Sequence, residues 1–249
     1  MSKSESLALS AVSRSFPPTR WSLVLAARDG SQKEAAAAVE AVCLMYWHPL
    51  YAYARRCGHG PHDAEDLTQE FFRSLLEKRW IEQADPEKGR LRSFLILAMK
   101  RFMAKEWRRV STQKRGGGET HLPMDTAFAE SYYCAEVCEQ FQPEQVFDRQ
   151  WALALLRLTT ERFQNEFKAA GKSREFDALK GFLTAAHGQI DYKSAATALS
   201  TTESAARVAV HRFRKRFREV YRDEVSQTLP AQADVEAEVR YLADILARG

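Results

Sequence analysis

Apolar positions recur every three or four residues along most of the chain, the spacing of helices with one buried face. Thr19 is placed to cap a short helix through RWSLVLAARDG, which Gly30 ends. SQKEAAAAVEAVCLMYW continues the pattern on alanine-rich turns, and Pro49 predicts a kink or restart before LYAYARRCG. After Pro61, the residues Ala64, Leu67, Phe71 and Leu75 mark one buried stripe along DAEDLTQEFFRSLLEKRW. ADPEKG carries turn chemistry, and RLRSFLILAMKRFMAKEWRRV resumes the helix with Phe94, Leu95, Ala98 and Phe102 inward. No stretch alternates with period two between turn signals. The predicted fold class is therefore all-α, with two small helical domains joined by a flexible linker and a helix-turn-helix in the second.

The pattern breaks at STQKRGGGETHLPMD, where consecutive glycines, a proline and polar residues mark a boundary between modules. Helical spacing returns near Glu144 and runs through QVFDRQWALALLRLTTERFQNEFKAAG and EFDALKGFLTAAHG. The predicted organisation is a flexible segment over 1–18, a first domain over 19–112 and a linker over 113–143. A second domain follows over 144–226, then a helical extension over 227–249, where Val235, Val239, Leu242 and Leu246 fall at helical steps.

Within the second domain Asp191 can cap a short helix to about Leu199, Ser200 and Thr201 form a tight turn, and Thr202 with Glu203 starts a longer helix. A short helix, a turn of three or four residues and a long basic helix have the spacing of a helix-turn-helix. Ala195, Ala196 and Ala205 are small where the two helices must cross closely. Ala206, Val210, Phe213, Phe217 and Val220 form an inward stripe, and Arg207, His211, Arg214 and Arg218 a separate cationic one. Such a helix enters the major groove by its N-terminal end. Thr202, Glu203, Ser204 and Arg207 are thus expected near base edges, with Arg212, Arg214 and Lys215 nearer the backbone. About six phosphate contacts would give a log–log salt slope near −5.

Composition changes this picture little. The 249 residues are 45% hydrophobic and 28% charged, ordinary for a globular protein. The opening MSKSESLALSAVSRSF lacks a sustained apolar core before a small-residue cleavage site, FLILAM is among the longest apolar runs, and four cysteines make no disulfide framework. A cytoplasmic protein without membrane insertion is expected. The distribution of charge matters more than the net +4. Lys88, Arg90, Arg92, Lys100, Arg101, Lys105, Arg108, Arg109, Lys114 and Arg115 face only Asp85, Glu87 and Glu106 across 84–115, and 207–218 contains no acid. Two basic segments on a nearly balanced chain predict two contacts with a polyanion rather than merely solvated faces. A membrane-surface helix would need an apolar face open to lipid, whereas here that stripe continues a packed unit.

Catalytic chemistry is hard to assemble. Asp63, Glu65, Asp66 and Glu70 crowd the start of one helix, where carboxylates usually act as dipole partners, and no paired histidines support a metal site. His121, Asp125, Cys134 and Cys138 define an alternative, a zinc-dependent enzyme or sensor, but lack the spacing of four structural ligands. RGGGET lacks the lysine and helix of a phosphate-cradling loop. No catalytic residue, cofactor or metal is expected.

Taken together, DAEDLTQEFF, ADPEKGRLRSF, LILAMKRFMAKEWRR and ATALSTTESAARVAVHRFR resemble, in order, the extracytoplasmic-function (ECF) group of bacterial RNA polymerase sigma factors. The likeness covers roughly 46–109 and 145–222. It implies that Asp63, Glu65, Asp66, Gln69, Glu70 and Phe72 face core RNA polymerase. It also implies that Lys88, Arg90, Arg92, Lys100, Arg101, Lys105, Trp107, Arg108 and Arg109 capture and melt the minus-ten promoter element. An unstacked base would gain about 1–3 kcal/mol on an aromatic platform, for which Trp107 and Phe102 are candidates. Promoter DNA and core polymerase are the partners implied, and an anti-sigma factor is a further one the resemblance admits. The sequence departs from the pattern at Arg101, where many relatives carry Asn, at Ser200 in place of a turn glycine, and at Ala209 in place of a frequent Arg. VEAEVRYLADIL lies outside the pattern and is expected either to pack on the second domain or to bind a partner. A helix-turn-helix regulator that does not bind polymerase is the competing reading; it leaves DAEDLTQEFF without a role.

Overall fold

The computed structural model describes Val24, residues 32–78 and 80–112, Tyr133, and residues 141–185 and 190–248. Among these residues every regular element is helical, in agreement with the all-α expectation.

Helix α1 (Gln32–Arg56) is continuous through Pro49, so the predicted restart is corrected. A proline inside a helix costs roughly 3 kcal/mol. Here Tyr46, Trp47, Leu50, Tyr51 and Ala54 on either side of it are buried, and that burial offsets the lost hydrogen bond. Helix α2 (Pro61–Glu77) starts with proline at its first position, where no N–H is needed. It buries Ala64, Thr68, Phe71, Phe72, Ser74 and Leu75, and Thr68 satisfies its hydroxyl by donating to the Ala64 carbonyl at 2.7 Å. Two 3₁₀ turns follow, Trp80–Gln83 and Pro86–Lys88. Asp85 caps the second by accepting from the Glu87 N–H at 2.9 Å, and Gly89 closes it at φ 143°, a conformation glycine adopts without strain. Helix α3 (Leu91–Thr112) then buries Leu91, Leu95, Met99 and Phe102 on one side.

Helix α4 (Pro143–Ala169) is about 40 Å long at 1.5 Å per residue and serves as the spine. Its start is fixed by Pro143 and by Gln145, whose side-chain oxygen accepts from the Gln142 N–H at 3.0 Å. After it come α5 (Ser173–Leu179), a 3₁₀ turn (Lys180–Phe182), α6 (Tyr192–Ala198), α7 (Glu203–Ser226) and α8 (Val235–Ala247).

Two main clusters of buried side chains result. The larger joins α1, α2 and α3 to Phe147, Trp151, Ala152, Leu155 and Leu158 of α4, Val225 of α7, and Leu242 and Ile245 of α8. The smaller unites Phe163 of α4, Phe176 and Leu179 of α5, Ala195 and Ala196 of α6, and Ala206, Val210, Phe213 and Val220 of α7. The passage from one cluster to the other falls inside α4, between Leu158 and Phe163, and the C-terminal helix packs into the larger. No described helix is long and apolar enough to cross a membrane.

Candidate nucleic-acid and polymerase interface

Three surfaces carry the sequence-predicted residues. The first is the outer face of α2. Asp63 and Asp66 are exposed, and Glu65, Gln69 and Glu70 are half-buried. Gln69 donates to Glu65 at 3.2 Å and Arg73 to Glu70 at 2.8 Å, so the acids are ordered along one side rather than splayed. Phe72 does not join them. It is fully buried against Phe71, ring centroids 5.5 Å apart, and its expected role on a partner-facing surface is corrected. The reason is that α2 packs against α1, α3 and the Trp80–Gln83 turn, which broadens its buried arc beyond one stripe.

The second surface belongs to α3. Lys100, Arg101, Lys105 and Trp107 are exposed along its outer side, as is Leu97. Arg101 and Lys105 border a groove of about 250 Å³ whose floor includes Trp80, Phe94 and Phe102. Trp107 is 74% exposed, which suits a stacking platform; Phe102, at 3%, is core, and its candidacy is corrected. Arg108 and Arg109 lie on α3 with side chains outside the described set.

Other cations of this segment are engaged. Lys88 stays exposed beside Asp85 at 3.2 Å, and Lys100 meets Glu144 of α4 at 2.5 Å. The Lys100 hydrogen bond holds the Glu144 carboxyl below its ordinary value. Arg92, expected to contact DNA, is 5% exposed and has its guanidinium held within the protein. Its guanidinium pairs with Asp148 of α4 and with Glu238 of α8, the latter at 2.8 Å, and lies 5.1 Å from the ring centroids of Trp151 and Tyr241. Arg90 shares Glu238 at 2.9 Å. Tyr241 donates to the other Asp148 oxygen; burial, then the neighbouring carboxylate, pushes its hydroxyl up to about 12, which keeps the donor protonated.

The third surface is built from α6, the turn after it and α7. Asp191 caps α6 by accepting from the N–H groups of Lys193 and Ser194 at 3.0 and 3.1 Å, and Thr202 caps α7 by accepting from Ala205 at 3.3 Å. Between them Ser200 takes φ 51°, the left-handed turn position where glycine was the expected residue. Ala195, Ala196 and Ala206 are the buried small residues at the crossing; Ala205 is exposed, so the predicted third contact shifts by one position. Thr202, Ser204, Arg207, His211, Arg212, Lys215 and Arg218 are exposed and Glu203 half-buried, on the side away from the core.

Arg214 is half-buried and donates to the Ala185 carbonyl at 3.2 Å, which limits its reach to a backbone. Arg216, absent from the predicted set, ties α7 to α4 through Glu166 at 2.9 Å. Sequence reading also missed that Arg207 is steadied twice. Glu203 accepts from it at 2.8 Å and the Tyr192 ring of α6 lies 4.5 Å beneath its guanidinium. The four-residue spacing of Glu203 and Arg207 was the available signal; Tyr192 gave none.

His121, Asp125, Cys134 and Cys138 lie outside the described residues. Among those described, no group of three or more His, Cys, Asp or Glu could hold a metal ion.

The described protein is thus an all-helical one with an acidic outer face on α2, a cationic and aromatic one on α3, and a cationic helix presented by α6 and its turn. Residues 45–113, from within α1 to just past the end of α3, match the sigma-70 region 2 family model. No curated protein and no solved structure matches the chain. The matched segment is less than a third of the 249 residues and contains the first two surfaces. It supports a sigma-70-type role in RNA polymerase binding and promoter recognition, the role of a transcription initiation factor.

Proposed function

We propose that the chain is a bacterial sigma factor of the ECF type, which binds core RNA polymerase and directs promoter-specific initiation. The observation that carries this is the region 2 match over α2 and α3, whose outer faces hold opposite charge. In this reading Asp63, Glu65, Asp66, Gln69 and Glu70 dock on the polymerase. Lys88, Lys100, Arg101 and Lys105 track the phosphates of the melted minus-ten strand, with Arg108 and Arg109 continuing the same helix. Trp107 offers a base platform.

The pair α6 and α7 acts as a helix-turn-helix for the upstream duplex element. Thr202, Glu203, Ser204 and Arg207 meet base edges, and His211, Arg212 and Lys215 lie nearer the backbone. With Arg207 at the base edges and Arg214 and Arg216 held within the protein, about three cations remain for phosphates: Arg212, Lys215 and Arg218. The duplex salt slope is then about −3 rather than −5. In this reading the factor acts in the cytoplasm, and an anti-sigma protein is a further partner.

Transcription in vitro with sigma-free core polymerase, on promoters mapped by start-site sequencing after overexpression, tests the reading. Promoter-dependent transcripts are expected. Duplex binding without any transcript would favour a regulator that does not engage polymerase.

A further inference from the structure

None of these roles absorbs α8. Asp234 caps it by accepting from the Ala237 N–H at 3.0 Å, and Leu242 and Ile245 enter the larger cluster. Arg149 of α4 donates to the Ile245 and Leu246 carbonyls at 3.1 and 2.8 Å, and Arg222 of α7 pairs with Glu236. Its first turn also places Glu238, with no exposed surface, between Arg90 and Arg92 at the start of α3.

Two features set that contact apart from an ordinary buried bridge. The Glu238 oxygens lie at ion-pair distance from both guanidinium groups, yet neither receives an aligned N–H. A buried carboxylate repays its desolvation only with well-directed hydrogen bonds, so this one is a poor permanent partner. Arg92, moreover, has a second carboxylate partner in Asp148, and the Arg90 side chain remains 42% exposed at the edge of the basic segment.

Guanidinium groups accept a carboxylate and a phosphate through the same fork. We propose that Arg90 and Arg92 form a phosphate-binding site for nucleic acid that the first turn of α8 covers, so that Glu238 and a DNA phosphate compete for the same cations. The inference rests on the nucleic-acid reading above and adds the C-terminal helix as its competitor. It makes the chain's own C-terminal segment a brake on the segment matched to sigma region 2.

The test uses the full chain and a short labelled single-stranded DNA of mixed sequence, with anisotropy followed across a salt series. Glu238→Gln is expected to steepen the log–log slope by about 0.7 for each arginine released, which at 0.1 M salt is about fivefold tighter binding for each. Glu236→Gln, an equal change of charge on the same turn, is expected to move binding far less. Adding Arg90→Ala to Glu238→Gln should remove most of the gain, and a chain ending at Ala233 should reproduce it. A Glu238→Gln protein that melts cooperatively like the parent and binds with the same slope overturns the proposal. So does loss of the fold in both Glu238→Gln and the shortened chain, because the cluster is then fixed core. Arg101→Ala and Lys105→Ala separate the two levels. If they weaken binding while Glu238→Gln is silent, only the cover is wrong; if the chain binds no DNA, the nucleic-acid reading fails with it.

Discussion

Phe163 is the residue on which the presentation of α7 most depends, and Phe163→Ala is the sharpest perturbation of it. Its side chain is fully buried and touches four other aromatic rings: Phe167 at 5.0 Å, Phe176 at 5.9 Å, Phe213 at 4.8 Å and Phe217 at 5.6 Å between centroids. Truncating a buried phenylalanine costs about 3–5 kcal/mol, and the aromatic pairs add to the loss. Against a whole-domain stability of about 5–15 kcal/mol that is a large fraction. Because Phe163 belongs to the smaller cluster, the cost falls on α5, α6 and α7 before it reaches α1 and α2. At 1.4 kcal/mol per tenfold, amide exchange in α6 should accelerate by roughly a hundredfold to a few thousandfold, with α1 and α2 little changed. Duplex binding should weaken in step, while the proposed binding to core polymerase through α2 should persist. Phe163→Leu should recover part of the protection by refilling the space. Hydrogen exchange read by mass spectrometry decides the matter. Unchanged exchange in α6, or equal acceleration in α1, would refute the claim that this cluster independently holds the α6–α7 pair.

Further outcomes follow from the other surfaces. Trp107→Ala should cost about 1–3 kcal/mol of single-strand affinity in a fluorescence titration, with the melting temperature unmoved because the ring is 74% exposed. Ser200→Gly removes a left-handed conformation worth about 1–2 kcal/mol in a non-glycine residue, offset in part by a freer unfolded chain; denaturant unfolding should show a gain of up to about 1 kcal/mol. Lys100 holds the Glu144 carboxyl below its ordinary 4.5, so this pair stabilises the fold above that value, and the contribution is lost as pH falls through the lowered one. Lys100→Met should therefore lower stability at neutral pH by less than about 1 kcal/mol and flatten the acid limb of a stability–pH profile below about pH 5; an unaltered limb would count against the pairing.

The parts of this architecture legible in the sequence are those whose signals are local. Asp191 and Thr202 announce their helices because a capping oxygen acts on N–H groups two or three residues ahead. The stripe from Ala206 to Val220 is visible because a helix repeats its face every 3.6 residues whatever it packs against. Periodicity reports which residues share a face, but not how wide an arc the neighbours will cover. Phe72 and Phe71 are adjacent, so they point about 100° apart on α2. Both are buried because three elements grip that helix, a fact set by the tertiary fold. Pro49 shows the same limit from the other side: a local penalty of a few kcal/mol yields when large side chains flanking it are buried.

Charge is the least local signal of all, and the two basic segments illustrate it differently. Around α7 the acids that neutralise cations are partly nearby, as Glu203 is for Arg207, and the spacing foretells the pair. At the start of α3 the balancing acids are Asp148 and Glu238, from the middle and the far end of the chain. A segment that reads as strongly basic from 84 to 115 is thus, at Arg90 and Arg92, the cationic half of an intramolecular contact. Among the described side chains, the excess that remains outward is carried by Arg101 and Lys105, with Lys88 beside Asp85 and Lys100 shared with Glu144. Counting basic residues therefore overstates the field this surface presents while α8 is in place. The same helix that closes the larger core also sets how much positive charge is available to a nucleic acid.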